Sequence, residues 1–216
     1  MSLLEPLSPS VAQLVPKTKT PRPRMTIGDE ARFFSTWLRS PLTMGAVSPS
    51  SRLLGQTMAA YLPDPEEFDD RSVVLELGPG TGVVTQCLIE RGVPESALVL
   101  VEFSEEFCGL LRARFPNATI VQGDAYAIAA DLGSILGQRR LEAVVSGLPL
   151  LTKPDAMREE VVRHPLSVME EGAPFIQFSY SLKLPVRPEA IDAQVETSPW
   201  VKRNLPPARV IVYRAG

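Results

Sequence analysis

A run of apolar residues leads directly into a glycine-rich turn near position 80, and no other feature constrains the fold as strongly. Residues 73–77 read Val-Val-Leu-Glu-Leu, and Gly78, Gly80 and Gly82 follow before an apolar helical pattern over 83–91. Glycine allows a sharp turn and a close approach of the backbone to a ligand, because it has no Cβ. The sequence predicts a strand, a turn and a helix that bind a nucleotide-like ligand; the alternative is an ordinary tight turn.

The spacing of these glycines discriminates between classes of ligand. The dinucleotide-binding fingerprint G-x-G-x-x-G requires its third glycine at position 83, which is Val83. No Gly-Lys-Ser or Gly-Lys-Thr sequence follows the turn, so the segment is not a P-loop. The G-x-G-x-G spacing therefore favours S-adenosylmethionine over NAD.

Strand and helix patterns alternate beyond the turn. This alternation predicts right-handed crossovers and a Rossmann-like α/β fold with a mainly parallel, seven-stranded sheet, whose ligand site lies at the carboxyl ends of the strands. The last two predicted strands, 193–203 and 209–214, leave no room for a helix between them and should form an antiparallel hairpin. The other predicted strands cover 73–77, 98–101, 119–121, 141–145 and 174–180, and the predicted helices cover 83–91, 105–115, 126–136 and 155–169.

Polar residues follow the predicted strands in an order that suits one cofactor. Glu102 follows the second strand, where a carboxylate can accept hydrogen bonds from ribose hydroxyls. Asp124, in Gly123-Asp124-Ala125, follows the third strand and can accept from an adenine amino group. Ser146-Gly147-Leu148-Pro149 follows the fourth, where we expect the methyl-transfer centre. Each polar residue alone is compatible with a loop cap, but together they indicate a cofactor site.

The first 62 residues differ in character from the rest. We predict that residues 1–62 form an arm with helices that covers the membrane or substrate side of a cofactor-binding domain over 63–216. Between residues 17 and 39, six basic residues stand against two acids. Apolar and aromatic residues at helical spacing, Trp37 among them, predict an amphipathic helix suited to an anionic membrane surface. The alternative is a helix that packs its aromatic residues onto the domain.

Composition excludes several classes of function. The chain has 216 residues, a net charge of −3 and a single histidine, so neither a nucleic-acid-binding protein nor a histidine-based active site is expected. Cys87 and Cys108 lack the spacing of metal ligands and are expected in the core, and no metal site is predicted. No uninterrupted run of about 18 apolar residues occurs, so we expect an intracellular protein without a membrane span.

Several motifs resemble those of known methyltransferases. Residues 76–82 have the form E-x-G-x-G-x-G of the first motif of class I S-adenosylmethionine-dependent methyltransferases. Together with residues 33–51, Leu100–Phe103 and Ser146–Pro149, this motif resembles the small bacterial phospholipid N-methyltransferases. The resemblance covers roughly residues 28–181.

The resemblance implies a reaction and a location. Members of this family methylate phosphatidylethanolamine toward phosphatidylcholine at the inner face of the cytoplasmic membrane, with an N-terminal amphipathic helix involved in attachment. S-Adenosylmethionine is converted to S-adenosylhomocysteine. The implied position of Glu76 is near the methionine amino group. The implied cofactor-binding residues are Glu76, Gly78, Gly80, Thr81, Gly82, Glu102, Phe103, Gly123, Asp124, Ala125 and Ser146.

The methyl acceptor imposes few demands on the site. Transfer requires an amine with a free lone pair held in line with the methyl group, and an acceptor near Ser146, Gly147 and Leu148 could take the proton of the amine. The methylated product is cationic and suits an aromatic wall, for which Tyr180 is the main candidate and Trp37 a weaker one; each also fits a packing role. Arg187 is a candidate for binding the lipid phosphate, or is simply solvated.

Two other functions remain open at this stage. The Ser146–Pro149 loop is similar to the N-L-P-Y-like loop of rRNA adenine dimethyltransferases, but it lacks the asparagine and the final aromatic residue, since position 150 is Leu150. The second alternative is a non-catalytic, membrane-bound sensor of S-adenosylmethionine. The expected partners are a phospholipid and an anionic membrane surface, with no nucleic acid and no protein partner implied.

Overall fold

The computed structural model describes residues 51–128 and 132–216, which form a seven-stranded sheet flanked by helices. No helix in these ranges is long and apolar enough to cross a membrane. The strands are β1 (Ser72–Leu77), β2 (Leu98–Glu102), β3 (Thr119–Gln122), β4 (Arg140–Ser146), β5 (Phe175–Ser179), β6 (Ala193–Thr197) and β7 (Arg209–Ala215). The helices are α1 (Arg52–Ala59), α2 (Val83–Arg91), α3 (Glu105–Arg114), α4 (Ala125–Ile128), α5 (Leu132–Leu136) and α6 (Asp155–Val168). Short 3-10 turns occupy Pro65–Glu67, Glu95–Ala97, Leu150–Thr152 and Pro188–Ala190.

The order of strands in the sheet is β3-β2-β1-β4-β5-β7-β6. Strands β1 to β5 run parallel, and β7 is antiparallel to both of its neighbours. The predicted Rossmann-like fold with a C-terminal antiparallel hairpin is therefore confirmed. Because β1 to β5 are parallel, their carboxyl ends and the loops that follow them lie along one edge of the sheet.

Helices cover both faces of the sheet, which explains why its central strands consist largely of apolar residues. Every residue of β1 and β2 is buried. One face packs against α1, α2 and α3, with Leu54, Leu88 and Leu111 fully buried in that layer. The other face packs against α5 and α6, where Leu132 and Val162 are buried.

Helix α1 belongs to the core of the domain. Ser51 caps its first turn, since the Ser51 side chain accepts a hydrogen bond from the Leu54 backbone N–H. Leu54 and Met58 are fully buried in the same layer as the β1 residue Val74. Residues 52–62 thus pack on the domain predicted to begin at residue 63, while the remainder of the predicted N-terminal unit, including Trp37, lies outside the described residues.

One predicted strand differs from the observed one, and one predicted helix is described only in part. Within the predicted helix over 126–136 the structure describes α4 and α5, and residues 129–131 lie outside the described residues. The predicted strand over 193–203 ends at Thr197, because Pro199 has no N–H to donate to β7. Ser198 ends the pairing, as its backbone N–H donates to Val210 O and its hydroxyl accepts from Val210 N–H. Residues 198–208 consequently form a long loop.

Candidate active site

The loops that follow β1, β2 and β4 are joined by backbone hydrogen bonds at the carboxyl edge of the sheet. The Gly78 N–H donates to Val101 O at 2.9 Å, and the Gly147 N–H donates to Leu77 O at 2.8 Å. Each loop therefore begins in a position fixed by the neighbouring strand. The structure brings the predicted glycine turn, the residues after β2 and the Ser146–Pro149 segment side by side.

The glycine turn has a backbone that only glycine adopts readily. Gly78, Gly80 and Gly82 have φ values of 70°, 56° and 79°, in the left-handed region. A Cβ on Gly82 would also lie 2.6 Å from the Phe115 ring. The third glycine is therefore required by the packing of α2 on the core as well as by the turn.

Glu102 connects the end of β2 to the glycine turn. Its side chain is almost completely buried, with one carboxylate oxygen accepting from Gly80 N–H at 3.0 Å and the other from Ser104 N–H at 2.9 Å. A carboxylate oxygen can accept more than one hydrogen bond, so both oxygens retain capacity for ribose hydroxyls. This arrangement fits the predicted role of Glu102.

Glu76 is a buried acid at the centre of the site. Its carboxylate accepts a hydrogen bond of 2.7 Å from the Thr85 hydroxyl. Burial raises the pKa of Glu76 to about 8, the nearby negative charge of Glu102 adds to the increase, and the hydrogen bond from Thr85 opposes it. A ligand with positive charge would favour the ionised form of Glu76. The amino group and sulfonium of S-adenosylmethionine have that charge, so the residues present fit this cofactor.

The ends of β2 and β3 border an open pocket lined by Phe103, Ser104, Gln122 and Gly123. The Phe103 side chain is 77% exposed there, although it is a large apolar residue. Asp124 is exposed beside the pocket and its carboxylate accepts from Tyr126 N–H at 2.9 Å. An apolar ring and an acid at one pocket are suited to an adenine base. Of the other predicted cofactor contacts, Thr81 is half-buried in the glycine turn and Ala125 is buried at the start of α4.

The loop after β4 lies directly against the glycine turn. A Cβ on Gly147 would be 2.6 Å from the Gly78 carbonyl oxygen, so no other residue fits without displacing the backbone. Ser146 is fully buried, and its hydroxyl accepts from Leu148 N–H at 3.3 Å. The buried serine therefore shapes the loop, which places Leu148 next to the turn.

A second pocket lies between this loop and the end of β5, lined by residues that include Leu148, Pro149, Gln177 and Tyr180. Tyr180 is half-buried and makes an edge-to-face contact with Phe178, at 5.5 Å between ring centroids. The structure thus brings Tyr180 to the predicted methyl-transfer centre. Arg187 does not line this pocket; it is exposed at the start of the 188–190 turn.

Gln177 lines the same pocket, although its place in the sequence predicted no role in the site. It is 1% exposed, and its side-chain N–H groups donate to the carbonyl oxygens of Leu148 at 3.0 Å and Phe178 at 2.8 Å. Its side-chain oxygen is buried without a hydrogen-bond partner in the described part of the chain. The sequence did contain one indication of its importance, because a glutamine stands in the buried strand Phe-Ile-Gln-Phe-Ser at a position where an apolar residue is usual.

Comparisons with known proteins agree with this geometry. Residues 52–138 match the family of ribosomal RNA adenine dimethylases. The chain is 30% identical over 182 residues to an ornithine lipid N-methyltransferase from Singulisphaera acidiphila, an alignment covering 82% of this chain and 91% of that protein. It is 38% identical over 96 residues to a ribosomal RNA small subunit methyltransferase A from Synechococcus, covering 43% of this chain and 29% of that protein.

Solved structures show the same fold. The magnesium protoporphyrin IX methyltransferase from Synechocystis, solved with bound S-adenosylmethionine, superposes with a TM-score of 0.58 at 11% identity, over 87% of this chain and 98% of that one. The likeness to the Singulisphaera acidiphila enzyme extends over 91% of its length. The first motif and the strand order of this chain are those of a Rossmann-like methyltransferase. The chain therefore belongs to the class I S-adenosylmethionine-dependent methyltransferases, and S-adenosylmethionine is its cofactor.

Proposed function

We propose that this enzyme transfers methyl groups from S-adenosylmethionine to the primary amine of phosphatidylethanolamine, and then to the methylated intermediates, toward phosphatidylcholine. The extent of the two likenesses supports a lipid as the acceptor, and the choice of phosphatidylethanolamine rests on the sequence motifs alone. The match to the RNA dimethylase family ends at residue 138, before β4 and the acceptor pocket. The alignment with the lipid N-methyltransferase covers 82% of the chain, too much to be confined to that part. Support for a lipid acceptor therefore comes from an alignment that includes the acceptor side.

The pocket between the β4 loop and β5 has groups suited to an amine. When bound, S-adenosylmethionine would supply a methyl group on a positively charged sulfur as the electrophile for the amine. The side-chain oxygen of Gln177, which has no hydrogen-bond partner in the described part of the chain, can accept an N–H of the amine and orient the lone pair of the amine nitrogen. The same side chain holds the Leu148 carbonyl in place by donating to it.

The amine must lose a proton before it reacts. By analogy with lysine, whose reference pKa is about 10.4, roughly one amine in 10³ is neutral at pH 7. Entry into a pocket lined by Leu148, Pro149 and Tyr180 removes water from the ammonium group and lowers its pKa. The released proton passes to solvent, and no strong base is required. The Tyr180 ring forms an aromatic wall for the nitrogen as it gains methyl groups and permanent charge.

Ornithine lipid is the second candidate acceptor. The Singulisphaera acidiphila relative is named for it, and the ornithine side chain also ends in a primary amine. The same pocket chemistry serves both lipids.

An RNA acceptor has weaker support. In the loop of the RNA dimethyltransferases an asparagine stands where this chain has Gly147, and its Cβ here would lie 2.6 Å from Gly78 O. Position 150 is a buried leucine rather than an aromatic residue that could stack on a base. These two positions favour a lipid amine over adenine.

Attachment at the inner face of the cytoplasmic membrane, with the basic segment 17–39 lying on anionic lipid, is part of the proposal. It is supported by the sequence alone, because that segment lies outside the described residues.

The acceptor can be identified directly. The full chain is incubated with methyl-labelled S-adenosylmethionine and vesicles that contain phosphatidylethanolamine, ornithine lipid or neither, and the lipids are analysed by mass spectrometry. We expect successive methyl additions to phosphatidylethanolamine. Methylation of ornithine lipid alone would support the second candidate, and label in neither lipid would contradict a lipid acceptor. A Glu102→Ala variant provides the background.

A further inference from the structure

Two loops near the C-terminus emerge at the same edge of the sheet as the active site. β5 ends at Ser179, which pairs with Arg209 at the start of β7, so residues 180–187 and 198–208 lie side by side. Arg209 connects them, because its guanidinium donates to Leu182 O at 2.7 Å and lies 5.6 Å from the Trp200 ring centroid. The two loops therefore form one continuous surface.

This surface exposes apolar tips between basic groups. Leu182 is 77% exposed and Leu205 is 76% exposed. Lys183, Lys202 and Arg203 are also exposed, and none of them forms an ion pair within residues 51–128 and 132–216. We call these five residues the C-terminal rim.

The charge of the molecule is polarised around the C-terminal rim. Residues 180–187 and 197–216 contain no aspartate or glutamate, although the whole chain has a net charge of −3. At the opposite end of the sheet, Glu67, Glu142, Glu170 and Glu171 line a pocket together with Arg140 and Arg214, so acids outnumber bases there. An anionic surface would attract the rim more than that end.

The rim has a fixed conformation in the structure. Tyr213 both accepts from Val186 N–H and donates to Val186 O, at 3.1 and 2.9 Å, which fixes the end of the first loop. Asn204 is buried in the second loop and accepts from Ser51 N–H at 2.8 Å. That loop is thereby attached to the start of α1, the point at which residues 1–50 join the domain.

We propose that the C-terminal rim docks on an anionic lipid bilayer, with Leu182 and Leu205 entering the interface and the three basic groups contacting lipid phosphates. Exposed leucine tips beside cations that form no ion pair within the described residues are the combination expected at a lipid interface, where apolar side chains enter and basic groups meet phosphates. RNA, which could stack on Trp200 or on an arginine, is an outcome of the test. Leu182 is two residues from Tyr180, so docking would bring the acceptor pocket to the head groups. The role of the C-terminal rim in turnover rests on the proposed lipid substrate, but the measurement of its binding to vesicles does not.

The charge contribution can be measured by vesicle sedimentation with the full chain. The variant Lys183→Gln/Lys202→Gln/Arg203→Gln is compared with wild type on phosphatidylcholine vesicles with and without phosphatidylglycerol, at low and high salt. We expect the variant to bind anionic vesicles at least about tenfold more weakly at low salt, with a smaller difference at high salt. Binding equal to that of wild type would overturn the rim and assign attachment to residues 17–39. Arg112→Gln, which removes one exposed charge from α3, is the control.

Insertion of the leucines can be followed with a polarity-sensitive dye. Cys87 and Cys108 are buried, so a cysteine at position 205 can be labelled selectively. We expect Leu205→Cys to report an apolar environment on anionic vesicles, whereas Leu110→Cys on α3 stays in water. An unchanged signal at position 205, or a signal produced by ribosomal RNA that vesicles cannot compete away, would overturn docking on lipid.

Measurements of methylation distinguish a failure of the docking proposal from a failure of the proposed function. On phosphatidylethanolamine dispersed in detergent, the triple variant should methylate at the wild-type rate, while on anionic vesicles it should be slower by the same factor as its binding. If wild type methylates no lipid but the triple variant still binds anionic vesicles more weakly than wild type, the proposed function is wrong and docking through the C-terminal rim is supported. If wild type methylates lipid but the triple variant binds vesicles and turns over like wild type, only the docking proposal is wrong.

Discussion

The two halves of the active-site edge differ in how their polar groups are satisfied. In the cofactor half, formed by β1 to β3 and the loops after them, Glu76 and Glu102 are buried and each accepts hydrogen bonds from the protein. In the acceptor half, formed by β4, β5 and the loops after them, the buried Gln177 oxygen has no partner in the described part of the chain. The first half has its buried acids already held by protein donors, whereas the second has a buried oxygen that we propose accepts from the methyl acceptor.

The match to the family model of the RNA dimethylases follows the same division. The RNA dimethylase match, residues 52–138, ends at the boundary between the halves. Likeness in the cofactor half therefore identifies the cofactor and carries little information on the acceptor. Variants that affect one half, or the contact between them, test whether the division is real.

The largest effect is expected at the contact between the halves. Gly147→Ala places a Cβ 2.6 Å from Gly78 O and must displace the glycine turn or the β4 loop. A displacement near 1 Å costs about a hundredfold in rate, so turnover should fall by that factor or more, with weaker cofactor binding. Gly109→Ala is the control, since its Cβ would meet nothing within 4 Å. Normal turnover of Gly147→Ala would show that the loop and turn are not in close contact.

Within the cofactor half, Glu102→Ala removes the acceptor of Gly80 N–H and the predicted ribose contact. We expect calorimetry to show cofactor affinity reduced at least about tenfold. Glu106→Ala, an exposed acid on α3, should bind normally. Unchanged affinity in a folded Glu102→Ala protein would remove Glu102 from the cofactor site.

In the acceptor half, Gln177→Leu keeps the side chain similar in size but removes the free oxygen and the donors to Leu148 O and Phe178 O. Turnover on lipid should fall by about tenfold or more while cofactor affinity stays within about twofold. Gln194→Leu on β6 is the matched control. Parallel losses of cofactor affinity and turnover would indicate a structural role instead.

A smaller effect is expected for the aromatic wall. Tyr180→Ala should lower turnover several-fold, most of all for the last methylation, in which the product becomes permanently cationic. Tyr180→Phe should retain activity if the ring rather than the hydroxyl is used. A stable Tyr180→Ala protein with normal turnover on every intermediate would exclude the residue from the site.

The last prediction concerns stability rather than activity, through its dependence on pH. The pKa of Glu76 is raised from its ordinary value of 4.5 to about 8, so in that range the folded protein holds a proton that the unfolded chain releases. The unfolded chain is therefore favoured progressively as pH rises, and the Tm of the ligand-free protein should fall between about pH 5 and pH 8. Glu76→Gln should have a flatter profile. Identical profiles for the two proteins would show that the pKa is not raised.

Local patterns predicted the strands and the turn of the cofactor half. The apolar strand and glycine turn lie within ten consecutive residues, and Glu102 and Asp124 follow their strands directly, so the parallel topology places them at the same edge of the sheet. The role proposed for Gln177 depends on a hydrogen bond to Leu148, 29 residues away, which no local pattern encodes. The same holds for Gly147, whose requirement for glycine comes from the Gly78 carbonyl oxygen. The loop over 198–208 was partly predicted as strand, whereas Pro199 ends the pairing.

The preference of the acceptor half for lipid can be measured in one competition. Methyl-labelled S-adenosylmethionine is given to the full chain together with phosphatidylethanolamine vesicles and unmodified small-subunit ribosomal RNA, and the label is counted in the separated lipid and RNA fractions. We expect the label in the lipid fraction, unchanged when RNA is omitted. Label in the adenines of the RNA, unchanged when lipid is omitted, would contradict the assignment of the acceptor half to a lipid amine.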